Sequence, residues 1–133
     1  MKINSQLIWI AFLFGILGLT GCTTLNTAAN ARGRGEQVIY KASFDEVWAA
    51  VPKAITNAGL QYVSVDNDKH MFLAKGGITG TSWGENVAIY VEKTEDGKTS
   101  VEVITMPNLI PNFAAQDWDG PIFIQLDKRF GRA

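Results

Sequence analysis

A single cysteine, Cys22, and a single histidine, His70, are the residues of this 133-residue chain best suited to covalent or acid–base chemistry. A thiol can act as a nucleophile or accept a modifying group, and an imidazole changes charge near neutral pH. His70 stands close to Asp66 and Asp68, a trio that could orient an imidazole as a general base. These three fall on a predicted hairpin turn, where charged side chains are ordinarily solvated, so no catalytic role follows. One histidine and one cysteine also fall short of a metal site, which takes several converging ligands. The glycine-rich stretch Gly76-Gly77-Ile78-Thr79-Gly80-Thr81-Ser82-Trp83-Gly84 precedes a predicted strand, whereas a nucleophile elbow leads into a helix. It also lacks the Gly-Lys-Ser/Thr ending of a phosphate-binding loop.

Cys22 has a more specific context. Lys2 supplies a positive start, residues 7–19 (LIWIAFLFGILGL) an apolar run, and Thr20-Gly21 the small residues of a cleavage site, the three parts of a secretory signal peptide. The apolar run is shorter than the about 20 residues a membrane-spanning helix needs. Leu19-Thr20-Gly21-Cys22 resembles the lipobox of bacterial lipoproteins. That resemblance implies removal of residues 1–21, a diacylglycerol thioether on Cys22 and acylation of the freed amine. Thr23, where inner-membrane lipoproteins typically carry Asp, implies an outer-membrane anchor facing the periplasm.

Cleavage of 21 residues from 133 would leave 112, enough for one small domain. No internal disulfide can form with one cysteine, so a packed core must stabilise the fold. Without Lys2 the chain carries 11 basic and 13 acidic residues. That balance provides no strong field for nucleic acid or anionic lipid. Residues 22–36 are small, polar and glycine-containing and read as a flexible tether, with Arg32 and Arg34 as solvated linker charges.

The remaining 37–133 reads as a single α+β domain. Residues 37–42 form a β-rich run that stops at Ser43. Ser43 with Glu46 makes a capping box. Phe44, Val47, Trp48, Val51 and Ile55 then recur at helical spacing on one face. Gly59 closes this helix, and Pro52 inside it predicts a kink near Trp48. Two hairpins follow, with turns at Asn67-Asp68-Lys69 and Glu95-Asp96-Gly97-Lys98. In the second, Val87, Ile89, Val91, Val101 and Val103 alternate inward against Asn86, Ala88, Tyr90, Glu102 and Ile104 facing outward. Residues 107–118 break all periodicity and form a long loop. Asp119-Gly120-Pro121 starts a final helix with Ile122, Phe123, Leu126 and Phe130 on its apolar face. The expected order is β-α-β-β-β-β-α, a four- to five-stranded antiparallel sheet packed on two helices.

This order, with Phe44-Asp45-Glu46-Val47-Trp48 and the closing helix from Trp118, resembles small periplasmic lipoprotein domains. It is similar in outline to the helix-grip domains of the accessory lipoprotein of the outer-membrane β-barrel assembly machine. The resemblance implies an interaction module without catalysis, cofactor or metal. The sheet edge, by backbone pairing, or the loops carrying Trp83 and Trp118 as anchors are the candidate contacts to a periplasmic or outer-membrane protein. A second class stays open, a carrier or sensor of a small apolar ligand held in a groove of Phe44, Trp48, Val51 and Phe123.

Overall fold

In the computed structural model, which describes residues 24–78, 84–107 and 116–133, the predicted elements form for local reasons that can be named. Ser43 caps the helix Phe44–Asn57 with Glu46 reaching back, both halves of the capping box being present. At the other end Gly59 adopts φ +96°, Gly59 N–H donates to the Thr56 carbonyl and Leu60 N–H to the Ile55 carbonyl. Those two bonds are the Schellman pattern, and only glycine enters that backbone region without cost. Pro52 lies inside the one continuous helix, and its missing N–H leaves the Trp48 carbonyl without its usual donor.

The described elements run α1 (Leu25–Ala29), β1 (Glu36–Tyr40), α2 (Phe44–Asn57), β2 (Gln61–Asp66), β3 (Met71–Lys75), β4 (Glu85–Lys93), β5 (Thr99–Pro107) and α3 (Asp119–Asp127). The fold is α+β. Its open sheet has five strands in the order β1-β5-β4-β3-β2, every neighbouring pair antiparallel. Asp66 closes the β2–β3 turn by accepting from the amides of Asp68 and Lys69. His70 takes a positive φ of 51° there, and β3 therefore begins one residue later than the sequence predicts.

One face of the sheet packs Phe72, Val87, Ile89, Val91, Val101 and Val103 against Val47, Val51 and Ile55 of α2 and Ile122, Phe123 and Leu126 of α3. The inward set is the one the alternation predicts. The opposite face departs from expectation. Ala88, Tyr90 and Ile104, predicted to face water, are buried beneath Ala28, Ala29 and Ala31, and Glu102 is buried as well. The sheet is therefore covered on both sides, by α1 on one and by α2 and α3 on the other.

That covering corrects the reading of residues 22–36 as a flexible tether. Thr24 and Thr27 form a capping box that opens α1, and the alanines let one helical turn lie close to the strands. The Tyr90 hydroxyl donates to the Ala29 carbonyl. Gly33 and Gly35 amides both donate to Glu102 Oε1, at 2.7 and 2.9 Å, and Arg32 pairs with Glu92. A side chain at Gly35 would collide with the Val103 carbonyl, so glycine is what permits this close approach. The ordered domain thus starts well before residue 37, and β1 itself begins at Glu36.

The two sheet edges differ. Outside β1, Lys41 N–H donates to the Gly131 carbonyl and Ala133 N–H to the Ile39 carbonyl, so residues 131–133 run along that edge. Asp127 holds them, accepting from Arg132 at 2.8 and 3.0 Å and from the Tyr40 hydroxyl at 2.9 Å. The Arg132 hydrogen bonds lower the Asp127 pKa. Outside β2, among the described residues, no strand pairs.

The capping box gives a direct check on α2. Ser43→Ala is expected to cost about 1 kcal/mol, seen in thermal denaturation as a fall of about 4 °C. An unchanged midpoint would show that the helix start is held by packing alone.

Candidate functional site

Four features of the described surface and interior could position chemistry or a partner. The first is a buried clamp at one end of the sheet. Glu85, 1% exposed at the start of β4, accepts from Trp118 Nε1 at 2.9 Å and from the Gln116 amide at 3.0 Å. Trp118 N–H donates in turn to Thr105 Oγ1 at 3.1 Å. Gly76 completes the clamp, since a Cβ there would run into the Glu85 carboxyl and the Trp118 indole. The clamp draws together the flanks of residues 79–83 and 108–115. Beside it Asp117 has a raised pKa because it shares a hydrogen bond with Asp119 and is partly desolvated.

The second is an aromatic ladder at the N-terminal end of α2. Phe44 and Trp48 stack at 5.4 Å, Trp48 meets Phe72 at 4.2 Å, and His70 lies 5.0 Å from Phe44. Lys93 Nζ stands 5.5 Å from the Phe44 ring, a cation–π contact. The ladder holds the β2–β3 turn against the helix, and His70 serves there as an exposed ring contact. Among the described residues no group of three or more histidine, cysteine, aspartate or glutamate side chains is placed to hold a metal ion.

The third is the free edge of the sheet. Tyr62, Val63 and Val65 of β2 are 38 to 39% exposed, and the register shifts between Tyr62 and Ser64. The fourth is a groove of about 190 Å³ where the last turns of α2 and α3 meet, bordered by Lys53, Asn57, Gln125, Lys128 and Arg129 over Ala54.

The residues singled out from the sequence are distributed differently. Cys22 and Trp83 lie outside the described residues. Trp118, a candidate partner contact, is only 9% exposed and belongs to the core. Its N–H needs a buried acceptor and finds one in Glu85, which is why the indole faces inward. Of the proposed ligand groove, Phe44 and Trp48 are half-buried, whereas Val51 and Phe123 are closed inside the core. β4 follows residue 84 directly, whereas a nucleophile elbow leads into a helix.

No protein-family model matches the chain, and no curated protein matches it. Among the solved structures to which the chain is similar are two of one sensor. One is the adenylate sensor from AMP-activated protein kinase complexed with ATP, at 14% identity and a TM-score of 0.47, covering 67% of this chain and 93% of that one. The other is the same sensor in complex with 5-aminoimidazole-4-carboxamide 1-beta-D-ribofuranotide, at 13% identity and a TM-score of 0.48, covering 70% and 94%. Likeness at this level carries no conclusion about what this chain binds.

Sequence reasoning missed Glu85 and the groove, and expected a docking sheet edge without saying which strand forms it. Tyr62-Val63-Ser64-Val65 carried a faint signal, three large side chains with no charge between them. Glu85 and the groove carried none, because their partners come from distant parts of the chain.

Proposed function

We propose that this chain is a lipid-anchored, periplasm-facing lipoprotein of the bacterial outer membrane that works without catalysis, as an interaction module docking a periplasmic or outer-membrane protein. The observation that carries the docking role is the β2 edge. Among the described residues no strand pairs its outer side, and Tyr62, Val63 and Val65 are exposed, while the β1 edge is occupied by residues 131–133. An added strand would gain main-chain hydrogen bonds along β2 and seat its side chains among the three.

The lipid anchor rests on the lipobox residues, and the position of α1 adds a geometric consequence. Thr24 caps α1, two residues after Cys22, and two residues of extended chain reach at most about 7 Å. A lipid on Cys22 would hold the α1 side of the sheet against the bilayer, leaving the opposite face and the β2 edge open to the periplasm. Among the described residues no helix is long and apolar enough to cross a membrane.

A photo-crosslinking residue at Val63 or Val65, in the full chain in its own membranes, tests the docking role. A discrete protein adduct is expected from both positions, and the exposed Lys41 should yield none. Illumination that leaves both edge variants uncrosslinked would sink the edge-docking reading.

A further inference from the structure

We infer that the groove between α2 and α3 binds a small phosphate-bearing anion. Three cations, Lys53, Lys128 and Arg129, converge on this one opening, and no carboxylate borders it. The chain as a whole has 13 acidic and 12 basic residues, so a concave site lined by one sign of charge is a local departure from its balance. Such a cleft focuses field and raises the local concentration of the opposite charge.

Four other cations have carboxylate partners. Arg32, Lys69, Lys98 and Arg132 each face a carboxylate within ion-pair distance. Among the described residues none of the three groove cations does. Lys128 Nζ donates to the neutral Gln125 amide at 3.2 Å, which places the ammonium over the groove without neutralising it. Arg129 lies 5.6 Å from the Phe130 ring. A guanidinium beside a ring can still present its N–H edge to a planar fork of acceptors. The Arg129 charge contributes to lowering the Glu46 pKa, but that carboxylate accepts from the Ser43 hydroxyl and amide at 2.7 and 3.0 Å and does not border the groove.

The space itself comes from Ala50 and Ala54, successive small residues on the α2 face that meets α3. At about 190 Å³ the groove is smaller than the roughly 300 Å³ where drug-sized ligand pockets begin. Its occupant is of headgroup size. An arginine fork beside two ammonium groups suits phosphate oxygens, with charge to match a dianion. The groove lies on the sheet face opposite α1, and it stands whether or not Cys22 carries lipid.

The test uses the full chain in phosphatidylcholine nanodiscs, with amide resonances followed during titration with glycerol 3-phosphate at low salt. A second preparation carries phosphatidylglycerol in the disc. Saturable shifts at Lys53, Asn57, Gln125 and Lys128 with glycerol 3-phosphate support a soluble phosphate ligand. The same shifts in the phosphatidylglycerol disc alone support a lipid headgroup at the same site. Combining Lys53→Gln, Lys128→Gln and Arg129→Gln should weaken binding roughly a hundredfold, at about fivefold per charge. A control with Arg34→Gln, Lys69→Gln and Lys75→Gln, equal in charge but outside the groove lining, should bind like the parent. Absence of saturable shifts from both sources, or an equal loss in the control, would overturn the assignment.

Discussion

Glu85→Ala is expected to lower the stability of the domain by about 3 kcal/mol, because it strands two N–H donors at once. The Trp118 indole and the Gln116 amide both donate to this carboxyl at 2.9 and 3.0 Å, and Glu85 is 1% exposed, so water does not replace it without rearrangement. For a domain of this size that loss corresponds to a fall of about 12 °C in the thermal midpoint. Glu85→Gln keeps one carbonyl acceptor and should cost less. The order of the two variants separates loss of an acceptor from loss of volume. Trp118→Phe combined with Glu85→Ala should cost less than the two single changes summed, since one interaction is removed twice. Circular dichroism melts of the four proteins measure this. A Glu85→Ala midpoint within a degree of the parent would mean that the clamp is not needed to close this end of the sheet.

The second large effect concerns Cys22. Under the proposed lipid anchor, Cys22→Ala abolishes incorporation of labelled fatty acid and leaves residues 1–21 attached. Intact mass reports both outcomes on one molecule. The parent should start at residue 22 and carry the added mass of its acyl chains. Each buried methylene contributes about 0.8 kcal/mol to membrane affinity, which is why two or three chains anchor durably where one does not. A parent of unmodified mass would remove the anchor from the proposal. It would leave the β2 edge and the phosphate groove as they are, because neither depends on lipid.

Both effects bear on how the molecule presents itself. Tyr90 holds Ala29 of α1, and Glu102 and Glu92 hold residues 32–35 after it. With a lipid on Cys22, partners would approach from the periplasmic side, where the β2 edge and the groove are found.

What could be read from the sequence is local. The Ser43–Glu46 box, Gly59 at φ +96°, the Asx turn at Asp66 and Gly97 at φ +78° each involve residues within a few positions of one another. Backbone conformation there depends on side-chain type alone. The period of two along β4 and β5 likewise marked one buried face, because alternation needs only one core to point at. By itself the sequence therefore determined the α+β class, the order of elements from β1 onward and the main core face. The tertiary structure alone decided that the sheet has a second covered face. One helical turn is too short to show a period, and its alanines gain burial only once Ala88, Tyr90 and Ile104 lie beneath them. It alone decided that Trp118 faces inward, because that depends on an acceptor 33 residues away. It alone brought Lys53 beside Lys128 and Arg129, since charges distant along the chain share a field only after α2 and α3 have packed.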